Sequence, residues 1–253
     1  MSLALKRILP KLYQKLKSIK NKIPANVEFW DKKQYKVTNK INDLFKPWKT
    51  WDALIKESDF VFKNYNGGDF IDVGAFAGFY SFLLAPKSNS FDNFVSCEPD
   101  ANVQTNLLEN LAILTNTFNK LRISFINSPI NNGNDVTIMD TPFGHPSFRV
   151  SNNSFNNKKV IKSVSLDSVV QSLSLKPKFI KIDVEGAEFD VLQGMQETLK
   201  KYKPKIMLEK HPSLVPKNIT LKDIDNFLIK NGYYSELISV DKDIAIREIW
   251  KTS

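Results

Sequence analysis

Residues Phe70-Ile71-Asp72-Val73-Gly74-Ala75-Phe76-Ala77-Gly78-Phe79-Tyr80-Ser81 decide the fold. A short apolar run ends in an acid, two glycines follow four apart, and the next residues suit a helix. The pattern predicts a strand, a tight turn and a first helical turn. Glycine without a Cβ lets such a turn pass close to a ligand, and a helix start offers unpaired N–H groups to it. Taken alone, the stretch fits packing as well as ligand binding, so its meaning depends on partners downstream.

The first partner follows a second strand. Phe94-Val95-Ser96-Cys97 runs into Glu98-Pro99-Asp100. An acid at the end of a second strand, a little over twenty residues after the glycine turn, is where doubly wound folds place the carboxylate that accepts both ribose hydroxyls of a nucleoside. Pro99 ends the strand and leads into a helix over Ala101 to Leu111, with Val103, Leu107, Leu108 and Leu111 inward. Cys97 reads as a buried strand residue, because no basic partner marks it as a nucleophile.

Leu121 to Ile126 gives a third strand, and residues 127–159 form an asparagine-rich excursion over the ligand face. His145 and Arg149 lie there, as acceptor contacts or as members of a solvated loop. The second landmark is Phe179-Ile180-Lys181-Ile182-Asp183-Val184-Glu185-Gly186-Ala187-Glu188. It predicts a fourth strand ending at Asp183, a turn, and a helix from Glu188 to Lys200 whose buried stripe is Val191, Leu192, Met195 and Leu199. Three carboxylates this close are costly unless they ligate something or accept hydrogen bonds. A fifth strand over Lys205 to Leu208 ends at Glu209-Lys210-His211, a helix spans Leu221 to Lys230, and extended runs at 234–240 and 244–250 close the chain. The result is an α/β fold with a mostly parallel sheet and an antiparallel C-terminal edge. Asp72, Glu98, Asp183 and Glu209 fall at the carboxyl ends of strands, where such sheets bind ligands.

The 253 residues carry a net charge of +9, yet residues 1–27 hold seven basic residues and no acid, so the rest of the chain is nearly balanced. That distribution argues against a nucleic-acid partner. In the leader, Leu5, Ile8, Leu9, Leu12, Leu16, Ile19 and Ile23 recur at helical spacing between lysines. This predicts a basic amphipathic helix over 1–27, lying on an anionic membrane surface through residues 1–23 or packed on its own domain. Residues 28–66 are expected to be a helical, aromatic segment, with Trp48, Trp51, Leu54 and Ile55 on one helix face as core or, less simply, as a sugar-stacking surface. Residues 67–253 form the ligand-binding domain. One cysteine excludes an internal disulfide and, with two histidines, a Cys/His zinc site, which suits a cytoplasmic chain, peripheral at the inner face of the membrane if the leader binds there.

Asp72-Val73-Gly74-Ala75…Gly78…Ser81, Glu98-Pro99 with Leu108 and Asn110, Leu166-Asp167, the block from Ile180 to Glu188 with Leu192 and Gly194, and Pro204…Glu209…His211 resemble the FkbM family of S-adenosylmethionine-dependent methyltransferases. The resemblance covers about residues 68–212, and the Lys181 to Glu188 block is its most specific part. It implies a class I, Rossmann-like seven-stranded methyltransferase fold and methyl transfer to a hydroxyl, usually of a sugar or polyketide. Asp72, Gly74, Ala75, Gly78, Ser81, Glu98, Pro99 and Asp183 are then the expected cofactor-binding residues. Phe76 stands where the family commonly has Asn, and Asn127-Ser128-Pro129 replaces its small-residue stretch.

A sugar hydroxyl is weakly acidic, so a general base helps as the bond forms. His211 is the first candidate, and Asp183 and Glu209 are the others. Asp183 and Glu209 offer an alternative, a divalent cation holding the acceptor's oxygens, to which the sequence does not commit. Two rivals stay open: a nicotinamide-dependent oxidoreductase, disfavoured because Phe76 occupies the place of the middle fingerprint glycine, and an inactive, membrane-tethered binding module of the same fold. The acceptor is expected to be a surface glycan or its precursor, and the sequence leaves the oligomeric state open.

Overall fold

The computed structural model describes residues 17–134, 136–139, 149–150, 158–241 and 244–253, with side chains outside 136–161. Residues 17–22 are helical, but the chain is already extended at Pro24. Strands β1 (Pro24–Glu28) and β2 (Gln34–Thr38) form an antiparallel hairpin, with Val27 opposite Tyr35. The hairpin crosses the boundary expected at residue 27 and replaces the start of the expected helical segment. Pro24 cannot sit inside a helix, and Val27, Phe29 and Val37 bury themselves by strand alternation instead. Helices α1 (Asn39–Phe45) and α2 (Asp52–Asn64) complete the N-terminal layer, with Pro47–Lys49 as a 3-10 turn between them.

The central sheet has the order β13-β14-β12-β11-β3-β4-β5. Its members are β3 (Asp69–Val73), β4 (Asn93–Cys97), β5 (Arg122–Ile126), β11 (Pro177–Ile182), β12 (Lys205–Lys210), β13 (Tyr234–Asp241) and β14 (Ala245–Lys251). The first five of these pair in parallel, and β14 is antiparallel to both β12 and β13. The antiparallel strand at the C-terminal side is therefore one place in from the edge, and β13 forms the edge itself. Chain order reverses between β3 and β11. This crevice is the topological switch point at which open α/β sheets bind ligands.

Alternation along the strands divides the core between two faces. Phe70, Phe94, Phe179 and Met207 point to the side covered by the hairpin, α1, α3 (Phe79–Leu84) and α4 (Ala101–Thr117). Ile71, Val95, Ile180, Ile206 and Trp250 point to the side covered by α5 (Leu166–Ser172), α6 (Glu188–Gln193), α7 (Gln196–Tyr202) and α8 (Leu221–Lys230). Helix α3 is buried on every side, so its six residues, FYSFLL, need no polar face. Trp48 stacks on Phe79 at 3.8 Å and Trp51 is exposed, so the tryptophans do not share one buried face.

Two helices differ from expectation. The helix expected over 188–200 is broken into α6 and α7 at Gly194, where the carbonyl oxygen of Asn131 comes within 1.9 Å of where a Cβ would stand, so only glycine fits there. In α4, Leu108 is exposed and Asn110 takes the inward place beside Leu107, Leu111 and Leu114. Within the excursion, β6 (Ile130–Asn131) pairs in parallel with β10 (Val164–Ser165), and β7 (Val136–Met139) is flanked by β8 (Arg149–Val150) and β9 (Lys158–Ile161). His145 and the side chain of Arg149 lie outside the described residues.

Candidate active site

The glycine turn is shaped by its backbone. The N–H groups of Gly74 and Ala75 both donate to the Cys97 carbonyl at 3.0 Å, which ties the end of β3 to the end of β4. Gly74 has φ +79°, and a Cβ there would lie 1.8 Å from the Asp183 carbonyl oxygen. Only glycine lets the loop after β3 touch the loop after β11. Asn110 donates from Nδ2 to the Ala77 carbonyl at 2.7 Å and fixes the loop from below. It is a buried polar residue on the apolar stripe of α4, and that misfit was the available signal for its role.

Glu98 is aimed across the loop. Its Oε2 accepts from the Phe76 N–H at 2.8 Å and its Oε1 from the Asp100 N–H at 2.9 Å. Burial raises its pKa, and these two backbone bonds oppose the rise. A carboxylate offers about four lone-pair sites. Two are occupied by these bonds, and Glu98 borders a cavity of about 680 Å³, within the size range of ligand pockets. Gly74, Ala75, Phe76, Pro99, Ser128 and Asp183 also border that cavity.

Three expected site residues stand elsewhere. Ser81 is fully buried with its hydroxyl 3.4 Å from that of Ser96, because α3 has no exposed face, so it is a core residue. Gly78, at φ +79°, starts α3 and packs under Leu107 without bordering the cavity. Asp72 is fully buried behind the loop, and its role is indirect: Lys181 Nζ lies 3.5 Å from Asp72, 3.2 Å from Asp183 and donates to the Gly74 carbonyl at 2.6 Å. Burial raises the Asp72 pKa against the pull of Lys181. Burial alone would lower the pKa of Lys181, yet the charges of Asp183, Asp72 and Glu209 hold it above its ordinary value. Lys181 thus joins both landmark loops through one cation. A lysine between Ile180 and Ile182 in a buried strand was the sequence signal for it. Burial likewise pushes the Cys97 thiol up, so it stays un-ionised, as expected for a core residue.

The opposite wall is made of side chains. Asp183 and Glu185 border the cavity, while Glu209 and His211 stand behind them, 8% and 5% exposed. His211 Nδ1 is 2.9 Å from Glu188 Oε1, which also accepts the Gly186 N–H. Its Nε2 points at three carboxylates, with Asp183, Glu185 and Glu209 each at 3.7 Å. Arg247 donates to Glu209 at 2.6 Å and pairs with buried Glu57 at 2.9 Å. Nothing in the sequence pattern pointed to Glu57 or Arg247.

Burial would lower the pKa of His211, but Glu188 and the surrounding carboxylates raise it to about 9. With only these neighbours the shift favours the doubly protonated ring, and a role for His211 as base or ligand needs its neutral form. Glu209 is raised by burial and by Asp183, against Arg247, to about 7.

A sequence profile described as the Methyltransferase FkbM domain matches residues 72–234, more than half of the chain. Over 151 residues the chain is 29% identical to the hexuronic acid methyltransferase AglP of Haloferax volcanii, covering 59% of this chain and 58% of that protein. Among solved structures, methyltransferase FkbM from Methylobacillus flagellatus superposes with a TM-score of 0.53 at 18% identity, covering 73% of this chain and 44% of that one. The matched part thus spans less than two thirds of either relative.

Proposed function

Because the chain belongs to the FkbM methyltransferase family, we propose that it is an S-adenosylmethionine-dependent O-methyltransferase acting on a sugar or glycan hydroxyl. The observation that carries this reading is the Glu98 carboxylate, fixed by two backbone donors and bordering the cavity at the switch point. That carboxylate suits a ribose diol, and Ser128 and Pro129 border the same cavity. When bound, the cofactor supplies an electrophilic methyl group on a sulfonium.

The chain's own residues then have two tasks. The glycine turn and Glu98 would hold the cofactor, and Asp183 and Glu185, on the facing wall, would hold the acceptor hydroxyl. Orientation of this kind supplies much of the acceleration in a displacement reaction. Asp183, which borders the cavity, is the group placed to receive the hydroxyl's proton, and Glu209, raised to about 7, stands behind it. The nicotinamide reading is weakened by Phe76, a half-exposed side chain at φ +47° in the loop that a dinucleotide pyrophosphate must approach.

The relative that acts on hexuronic acid makes uronic-acid sugars the first acceptors to try. The test is release of S-adenosylhomocysteine from a panel of uronic-acid and neutral glycans. Product with a uronic acid supports the reading. Binding of NAD in place of S-adenosylmethionine overturns it.

A membrane role for the leader is a second reading. Ile19 and Ile23 are 53% and 48% exposed, so the described end of the apolar stripe is not buried on the domain, although Lys20 pairs with Asp43 at 3.0 Å. Residues 1–16 lie outside the described residues. No helix among the described residues is long and apolar enough to cross a membrane; in this reading the leader's basic amphipathic pattern suits peripheral contact at the inner membrane face. Pelleting with anionic vesicles that is undiminished after deletion of residues 1–23 contradicts it.

A further inference from the structure

We infer that Asp183, Glu209 and His211, joined by Glu185, bind a divalent cation, and that its open coordination positions face the acceptor side of the cavity. The inference deepens the methyl-transfer reading by adding a second cofactor, and its role in turnover rests on that reading. The cation site itself stands on separate geometry.

One oxygen each from Asp183 and Glu209 and one nitrogen of His211 lie within 4.8 Å of one another. In an octahedral site with bonds of about 2.1 Å, neighbouring ligands are about 3.0 Å apart and opposite ones about 4.2 Å. The three separations of 3.7 Å from His211 Nε2 fall between these values, so shifts of about 0.5–0.7 Å close the shell. The same separations are too long for hydrogen bonds. Among the described residues, Nε2 of this histidine, itself 95% buried, has no hydrogen-bond partner and is aimed into the cluster.

The other ring nitrogen supports the same assignment. Histidines that ligate metals hold the far nitrogen against a carboxylate or carbonyl, which fixes the tautomer and the ring plane. Glu188, fully buried and anchored by the Gly186 N–H, does this at Nδ1. Glu185 sits in a turn at φ +53° beside Gly186, with its carboxylate 3.7 Å from His211 Nε2.

Charge points the same way. Glu57, Asp72, Asp183, Glu185, Glu188 and Glu209 share this region with the permanent cations Lys181 and Arg247. A divalent ion offsets part of that excess. One imidazole with two or three carboxylates suits Mn²⁺ best, with Zn²⁺ and Mg²⁺ as the neighbouring choices in ligand preference. Because Asp183 and Glu185 border the cavity whereas Glu209 and His211 do not, the positions left by the protein open toward the cavity. Two adjacent oxygens of a sugar, a carboxylate and a hydroxyl for example, match such a pair of positions. A hydroxyl held there loses its proton more readily.

The experiment uses the full chain, stripped with a chelator and titrated with Mn²⁺ while free Mn²⁺ is followed by electron paramagnetic resonance. Calorimetry with Zn²⁺ and Mg²⁺ runs in parallel. One saturable Mn²⁺ per chain is expected, bound at least about 10-fold more weakly by His211→Ala and about 10–100-fold more weakly by Glu188→Gln. Glu185→Gln, at a half-exposed turn, tests the site without disturbing the core, and Glu197→Gln on the surface of α7 is the control. Thermal unfolding, measured on each variant, reports whether it is folded, and S-adenosylhomocysteine binding is measured alongside. No saturable binding of any of the three ions overturns the inference, as does unchanged Mn²⁺ binding in both Glu185→Gln and His211→Ala. If nucleoside binding persists without metal binding, only the cation site falls; if metal binds but S-adenosylmethionine does not, only the methyl-transfer reading falls.

Discussion

The two walls of the cavity solve the problem of holding a ligand by opposite means. At the β3–α3 turn the chain presents backbone, and the one carboxylate, Glu98, is satisfied by the N–H groups of Phe76 and Asp100. At the ends of β11 and β12 the chain presents charged side chains, Asp183, Glu185, Glu209 and His211, held by other charged side chains behind them. The first wall costs little electrostatically and suits a ligand whose position never varies. The second is costly to assemble without a cation, which suits an acceptor or an ion. Lys181 joins the two, touching Asp72, Asp183 and the Gly74 carbonyl.

Removing that link is expected to have the largest effect. Lys181→Met leaves Asp72 buried without its cation, and breaking a buried pair costs about 3–5 kcal/mol. Urea unfolding should show this loss, and the double change with Asp72→Asn should recover part of it. A double variant no more stable than Lys181→Met would mean that Asp72 is not what Lys181 neutralises.

Gly74→Ala strikes the backbone wall. A Cβ 1.8 Å from the Asp183 carbonyl oxygen, at φ +79°, forces the two loops apart. At least about 2 kcal/mol of stability should be lost, together with nucleoside binding. Normal S-adenosylhomocysteine affinity in this variant would show that the loops need not touch.

Phe76→Asn should act in the other direction. Phe76 holds φ +47° with a half-exposed ring, and Asn adopts that region more readily. A gain of up to about 1 kcal/mol is expected in thermal unfolding. A loss would mean that the ring contributes packing that its exposure conceals.

The smallest effect lies outside both walls. Asp223 caps α8 through Thr220, and this bonding lowers its pKa. Its contribution is present above the unfolded value of about 3.9 and fades as pH falls through it toward the lowered folded value. Asp223→Asn should therefore lower stability slightly at neutral pH and leave it unaltered in strong acid, as read from unfolding midpoints across that range. An equal loss at both ends would assign the effect to shape alone.

The backbone wall was legible in the sequence because its signals are spacings: two glycines four apart, an acid at the end of each strand, and Pro99 before a helix. The charged wall was legible in composition but not in arrangement. The block from Asp183 to Glu188 announced carboxylates, yet which of them faces the cavity depends on Gly186 and on the register of β11 with β12. Ser81 and Asp72 belong to the same local motif as Gly74, but burial on every side of α3 and behind the loop removes them from the cavity. Glu57 and Arg247 come from distant parts of the chain and meet only because β14 pairs with β12 beside α2. The hairpin at Pro24–Thr38 was hidden by the lysine-rich periodicity that precedes it.

The most direct test of the account is a calorimetric titration of S-adenosylmethionine into the full chain and into Glu98→Ala. The account predicts one site per chain, weakened by at least about 10-fold in the variant, the loss of about 1.4 kcal/mol that one charge-assisted hydrogen bond contributes. Undiminished affinity in a folded Glu98→Ala chain, or no binding to the unaltered one, would contradict it.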